Sequence, residues 1–236
     1  MNYEKMWKSA AATLAFATLA FAGASPARAG MIVGDTANSE HSLGDFSGSL
    51  TYTFTDSTNA SLVVSLTNTS SAANGGYLTA FVLNNPDDLI TGIGLTSTSP
   101  SFGTLLFDDD GVNETPFGQF DFGATAEAGG PPQNGIAVGD TVAFTFTLTG
   151  TMLDTLGVGR FDDALSVAPG IGQGAQSFVA RFRGFRDDGS DKVPGTVVLT
   201  AVPEPGALTL ALSGLCLLGL SMARRLKRRS GTEGAI

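Results

Sequence analysis

The chain has 236 residues, of which 42% are hydrophobic and 15% are charged, and its formal net charge is −9. The charge is uneven: residues 30–201 hold 19 of the 22 acidic residues but only 5 of the 13 basic ones, a net charge of −14. Such an acidic region repels nucleic acid and anionic polymers, so a nucleic-acid-binding role is excluded. The single cysteine, Cys216, lies outside this region, which therefore has neither a disulfide nor a thiol nucleophile.

The N-terminus has the layout of a secretory signal peptide. Two lysines precede an uncharged stretch, residues 10–24, and an Ala-x-Ala motif formed by Ala27 and Ala29 follows it. The uncharged stretch is shorter than the roughly 20 residues that a membrane-spanning helix needs, which favours cleavage over a retained anchor. We therefore expect signal peptidase to remove residues 1–29.

The middle region, residues 30–201, is predicted to be a single all-β domain. Threonines and serines alternate with apolar residues at period two in 49–55 and 61–67, and residues 56–60 between them predict a hairpin turn. Further strands are predicted at 77–83, 117–122, 141–149, 178–185 and 196–201, and Gly- and Pro-rich loops at 84–101, 124–140 and 164–174. Half-buried strands of this kind predict a β-sandwich, either jelly-roll or immunoglobulin-like, and the sequence does not choose between these.

Two acidic segments of the domain suggest calcium, the one cofactor that the composition points to. The candidate ligands are Asp108, Asp109, Asp110, Asn113 and Glu114 in the first segment, and Asp187, Asp188 and Asp191 in the second. Calcium prefers several oxygen ligands on a tight loop that contains glycine, which both segments provide, although neither has EF-hand spacing. The alternative is a pair of solvated turns, because Asp, Asn and Gly are common turn residues.

The domain offers little for catalysis, and we expect that it is not an enzyme. His41 is its only histidine, no G-x-S-x-G elbow is present, and Tyr52 and Tyr77 are its only tyrosines. It has no tryptophan, and sugar-processing clefts usually rely on aromatic side chains for stacking. A glycoside hydrolase using paired carboxylates is the third-ranked alternative.

An arginine-rich strand stands out against the acidity. In the segment 178–185, Arg181 and Arg183 share one face of the predicted strand, and Phe178, Ala180 and Phe182 share the other. The arginines either bind carboxylates of an acidic polysaccharide or pair with nearby acids such as Asp187 and Asp188, and the second interpretation is favoured because surface ion pairs are ordinary.

The C-terminus combines three features in a fixed order. Pro203, Glu204 and Pro205 precede an uncharged stretch, residues 207–223, which is just long enough to cross a bilayer as a helix. Five cations then follow as a membrane-stop cluster: Arg224, Arg225, Lys227, Arg228 and Arg229. Because such clusters stay in the cytoplasm, the middle domain is placed outside, in agreement with the signal peptide.

This tail resembles the PEP-CTERM sorting signal of Gram-negative bacteria over residues 202–229, and residues 230–236 form a short terminal extension. The resemblance implies recognition by an exosortase, which would cleave near the Pro-Glu-Pro box and release or transfer the domain outward. A plain anchor with an incidental Pro-Glu-Pro is the alternative.

These features predict an exported surface or extracellular-matrix protein with a structural or adhesive role. It would be held briefly by its C-terminal helix and then reach the cell surface or the exopolysaccharide matrix. A calcium-dependent carbohydrate-binding module is the alternative. The expected partners are signal peptidase, an exosortase-like enzyme, the membrane and exopolysaccharide, but no nucleic acid.

Overall fold

The computed structural model describes residues 28–126 and 130–199. Most of the predicted signal peptide and all of the predicted sorting signal, membrane helix and terminal extension lie outside the described residues. Within them, no helix combines the length and apolar character needed to cross a membrane.

The described residues form ten strands, one short α-helix and four 3-10 helices. The strands are β1 (Arg28–Gly34), β2 (Phe46–Phe54), β3 (Asn59–Asn68), β4 (Gly75–Leu83), β5 (Ile90–Ser97), β6 (Thr104–Asn113), β7 (Gln119–Thr125), β8 (Thr141–Gly150), β9 (Phe178–Phe185) and β10 (Ser190–Leu199). The helix α1 is Val158–Asp163, and the 3-10 helices are Thr36–Asn38, Pro86–Asp88, Pro132–Asn134 and Leu153–Thr155.

Period-two alternation explains why the central strands form. In β3, Ala60, Leu62, Val64 and Leu66 are buried, while the residues between them are partly exposed. The predicted hairpin of β2 and β3 is confirmed, with Phe54 opposite Ala60. The carboxylate of Asp56 holds its turn by accepting the backbone N–H groups of Thr58 and Asn59 at 2.7 and 2.8 Å.

All ten strands belong to one antiparallel sheet in the order β5-β8-β3-β2-β1-β10-β9-β4-β7-β6. The sheet curls until its two outermost strands, β5 and β6, contact each other, so it is nearly closed around its core. The all-β prediction is confirmed. The backbone hydrogen bonds join all ten strands in one sheet. Jelly-roll and immunoglobulin-like sandwiches are instead defined by two separate sheets that pack face to face.

The sequence prediction missed β1, β5 and β6. The predicted loop 84–101 is wrong because β5 occupies its second half. Edge strands such as β5 and β6 have one strand partner and expose much of both faces, so their sequences lack the alternation that identified β3 and β8. Two glycines, Gly92 and Gly94, weaken the pattern of β5 further.

Phenylalanines fill the core between the two halves of the sheet. Phe81 of β4 lies with its ring centroid 4.7 Å from that of Phe144 and 6.1 Å from that of Phe146, both on β8. It also stacks on Phe178 of β9 at 5.7 Å. Tyr52 is buried in the same core, where its hydroxyl donates to the Leu153 carbonyl at 2.7 Å. Burial, with a smaller contribution from Asp154, raises the pKa of Tyr52 to about 12.

A second, smaller apolar cluster lies apart from this core. It consists of Val82, Phe117, Phe120 and Val179, with Leu106 and Val112 packed against it. Val179 belongs to the face of β9 opposite to Phe178, so both faces of this part of the sheet are covered.

We expect Phe81→Ala to destabilise the domain by about 3–5 kcal/mol, because it leaves a cavity at the meeting point of the two halves. Phe107→Ala is the matched control: its side chain is 41% exposed, and we expect a cost of about 1 kcal/mol or less. Thermal or denaturant unfolding of the full chain in mild detergent measures both. Equal losses for the two variants would contradict this description of the core.

Candidate functional site

A surface cavity of about 590 Å³ is bounded by parts of β4, β6, β7 and β9. We call it the arginine pocket and define it by six of its lining residues: Thr79, Phe107, Asp108, Glu114, Arg181 and Arg183. Its size lies within the range of about 300–1,000 Å³ that is usual for small-molecule sites.

The alternation of β9 directs both arginines into this pocket. Phe178, Ala180 and Phe182 are buried in the main core, while Arg181 and Arg183 line the cavity on the opposite face. The predicted shared face of the two arginines is confirmed. On the same face of the sheet, β6 contributes the apolar side chain of Leu106, which is level with Gly123 of β7 and Val82 of β4.

Neither guanidinium is paired within the described residues. The ion pairs there join His41 to Glu40, Arg160 to Asp87, and Lys192 to Glu114. The favoured interpretation, that Arg181 and Arg183 pair with Asp187 and Asp188, is therefore wrong. Two adjacent guanidiniums with free donors are suited to bind an anionic group from solution.

Glu114 is the unusual group of the pocket. Its side chain is only 8% exposed, and its Oε2 atom is buried without a hydrogen-bond partner among the described residues. The ammonium of Lys192 lies 3.6 Å from that oxygen, which is an ion-pair distance but too long for a good hydrogen bond. Burial raises the pKa of Glu114, and the charges of Lys192 and Arg181 offset this only in part.

The loop after β6 fixes the position of this carboxylate. The Glu114 N–H donates to the Gly118 carbonyl, and the Phe117 N–H donates to the Glu114 carbonyl, both at 2.9 Å. Phe117 anchors the loop in the smaller apolar cluster. Lys192 reaches the same loop from β10 by donating to the Thr115 carbonyl.

The first acidic segment lies in a bulge of β6 between Phe107 and Val112, not in a free loop. The Asp110 N–H donates to the Asp121 carboxylate at 2.7 Å. Partial desolvation, followed by the negative charges of Asp121, Asp109 and Asp88, raises the pKa of Asp110.

Asn113, which ends β6, uses its side-chain oxygen locally. That oxygen accepts both the N–H and the hydroxyl of Thr115, at 2.9 and 2.6 Å. The geometry thus gives Asn113 a turn-forming role.

The second acidic segment separates into two different roles. Asp187 and Asp188 are exposed in the turn between β9 and β10, where Asp187 accepts the Gly189 N–H at 2.9 Å. Asp191 is fully buried, and its carboxylate accepts the backbone N–H groups of His41, Leu43 and Gly44 at 2.9, 2.8 and 2.9 Å. Asp191 therefore anchors the 41–44 segment, which is 147 or more positions away along the chain.

The candidate calcium ligands are not brought together. Within residues 28–126 and 130–199, no three His, Cys, Asp or Glu side chains form a group that could hold a metal ion. The oxygens of Asp191 and Asn113 are already engaged by N–H or O–H donors, and Glu114 faces Lys192.

Three features of the pocket were not recognised in the sequence. Lys192 lies 78 positions from Glu114, Thr79 sits at a bulge of β4, and Phe107 belongs to a strand that was not predicted. Of the residues that define the pocket, Arg181 and Arg183 were singled out as a carboxylate-binding or ion-paired couple, and Glu114 and Asp108 as calcium ligands. Because the pocket assembles from four strands, no local pattern could have identified it.

The class of protein that these observations define is an all-β domain with a polar surface pocket. Residues 201–229 match the family model of the PEP-CTERM protein-sorting motif, which confirms the resemblance noted in the sequence. This motif implies export, processing by an exosortase-like enzyme and sorting to the cell surface. No curated protein and no solved structure matches the chain.

We expect Asp191→Asn to destabilise the domain by about 2–4 kcal/mol, because an amide has one acceptor oxygen for three N–H donors. Asp188→Asn, in the exposed turn with φ of 59°, is the matched control and should unfold like the parent, since asparagine tolerates that conformation. Melting temperatures with 5 mM calcium or with a chelator separate the two hypotheses for this segment. A calcium-dependent rise in the parent that Asp191→Asn abolishes would contradict the anchoring role.

We expect Glu114→Gln to gain stability relative to the parent as the pH rises. A carboxyl whose folded pKa is raised above its usual 4.5 binds more protons in the folded state, so stability falls as the pH climbs from that value toward the raised one. Glutamine does not titrate. The difference in melting temperature, variant minus parent, should therefore grow as the pH rises above 4.5 and level off above the raised pKa of Glu114. Glu40→Gln, at a side chain 34% exposed, controls for the loss of one carboxylate, and a flat difference for Glu114→Gln would contradict the assignment.

Proposed function

We propose that this chain is an exported surface or extracellular-matrix protein with a structural or adhesive role, delivered to its place by exosortase-dependent sorting. The observation that carries the proposal is the PEP-CTERM motif at residues 201–229, which begins two positions after the end of β10. The ordered domain is thus joined to its sorting signal by almost no linker in the sequence. Such an arrangement suits a domain that is the cargo of the signal.

The route begins with export across the inner membrane. Signal peptidase cleaves after Ala29, the apolar segment 207–223 holds the exported chain briefly in the bilayer, and the basic cluster from Arg224 to Arg229 stays in the cytoplasm. Exosortase then cuts near Pro203-Glu204-Pro205 and separates the domain from the anchor. Cleavage after Ala29 leaves five residues of β1, Gly30 to Gly34, paired with β10.

The domain works by binding or assembly and not by catalysis. Its histidine, His41, has a side chain that is 54% exposed and lies beside Glu40, on the segment that Asp191 anchors. Glu114 has a basic neighbour at 3.6 Å, and the arginine pocket contains no serine or cysteine nucleophile among its described lining residues. These features support a ligand-binding site.

The experiment changes Pro203, Glu204 and Pro205 together to alanine in the native host and follows the mass and location of the protein. We expect the processed extracellular form to disappear and a species with the full tail to stay in the inner membrane. The matched control changes Ser230 and Thr232 to alanine in the terminal extension, which should leave processing unchanged. Unchanged mass and location of the triple variant would refute exosortase-dependent sorting.

A further inference from the structure

We propose that the arginine pocket binds a sugar acid, one uronic acid residue of an acidic polysaccharide, with its carboxylate on Arg181 and Arg183 and its hydroxyls on Glu114. This inference deepens the adhesive role proposed above and depends on that role for its biological meaning. Binding itself is a property of the domain and is measured without reference to sorting.

The two arginines supply the part of the site that recognises an anion. Both line the cavity from adjacent outward positions of β9, and neither forms an ion pair within the described residues, although the charge of Arg181 acts on Glu114. A guanidinium binds a carboxylate through two parallel N–H donors, a geometry that an ammonium lacks. The ammonium of Lys192 neutralises Glu114, so Asp108 is the one remaining described acid that lines the cavity against two arginines. The pocket is therefore locally positive on a strongly acidic domain.

Glu114 supplies the part of the site that recognises hydroxyl groups. A buried carboxylate oxygen without a donor is unfavourable, and a ligand O–H would satisfy it. Asp108, in the bulge of β6, is a second acceptor on the same cavity. A simple anion would satisfy the arginines and leave Glu114 unpaired, whereas a neutral sugar would do the reverse. A sugar that carries both a carboxylate and neighbouring hydroxyls satisfies both sets of groups.

The strand β6 supplies an apolar surface for the sugar ring. Leu106 lines the cavity on the face of the sheet that carries the arginines, because it pairs with Gly123 of β7, which pairs with Val82 of β4. The C–H face of a pyranose can pack on such an apolar side chain. The cavity volume of about 590 Å³ accommodates a ligand of a few sugar units at most, so the pocket would bind a short stretch of a polymer.

The test is a calorimetric titration of the full chain, in mild detergent and at physiological salt, with trigalacturonic acid. Its fully methyl-esterified form, which has the same hydroxyls without the charges, and acetate, which has the charge without the hydroxyls, are the comparison probes. The variants are Arg181→Ala with Arg183→Ala, and the same pair changed to lysine. Arg186→Ala is the matched control, because Arg186 ends the same arginine series but is not among the lining residues.

We expect the triacid to bind, and each probe that lacks one of the two groups to bind at least about tenfold more weakly. The double alanine variant should lose at least about tenfold in affinity, the double lysine variant less, and Arg186→Ala should not change it. Melting temperatures identify any variant that does not fold. If the double alanine variant does not fold, the affinity of the double lysine variant tests the role of the two arginines.

Three results would overturn the inference: no binding of the triacid, equal competition by acetate, or unchanged affinity in the folded arginine variants. None of these results would bear on the sorting experiment, so failure of the ligand assignment is distinguishable from failure of the proposed function.

Discussion

The pairing of the first strand with the last is the constraint on which the rest of the structure depends. β1 and β10 lie side by side in the middle of the sheet, with β2, β3, β8 and β5 on one side and β9, β4, β7 and β6 on the other. This pairing joins the two halves that build the phenylalanine core, since Phe81 comes from one half and Phe144 and Phe146 come from the other. With no cysteine in the region, the pairing and the core together must provide the stability. The sheet cannot be completed until β10 is available, and β10 is followed in the chain by the sorting motif at residues 201–229.

This order of elements connects folding with delivery. The motif at residues 201–229 follows directly on a central strand and not on an edge strand. A chain that crosses the membrane unfolded would complete its sheet outside only after nearly all of it had been exported. The same strand carries Asp191, which fixes the segment around His41, and Lys192, which meets Glu114 at the pocket. Strand β10 therefore contributes to the core, to the anchoring of a distant loop and to the candidate site.

Local patterns could be predicted from the sequence, and long-range contacts could not. The alternation of β3, β8 and β9 predicted their positions closely, and the sorting signal was recognisable because all of its parts lie within 29 residues. The acidic segments were interpreted as calcium sites because composition does not show which backbone N–H groups will donate hydrogen bonds to a carboxylate. Asp191 looked like a calcium ligand in its turn, yet its oxygens accept N–H groups from a segment about 150 positions away. The arginines on β9 were expected to pair with Asp187 and Asp188, whereas the alternation of β9 directs them into a cavity.

The acidity of the domain gives the pocket a particular kind of selectivity. A net charge of −14 over residues 30–201 repels polyanions at long range, but at physiological salt this repulsion is screened beyond about 8 Å. Contacts inside the pocket act at shorter distances. There, the positive charges of Arg181 and Arg183 exceed the negative charge of Asp108, and the buried oxygen of Glu114 lacks a hydrogen-bond donor among the described residues. The domain would therefore discriminate against densely charged polymers such as nucleic acid and accept polymers whose charges are widely spaced along a hydroxylated chain. Acidic polysaccharides have that spacing, since each charge is carried on a separate sugar ring. If the pocket binds a sugar acid as proposed, the overall charge and the local pocket would favour the same class of ligand by opposite effects, one by disfavouring more densely charged competitors and the other by binding a repeating unit.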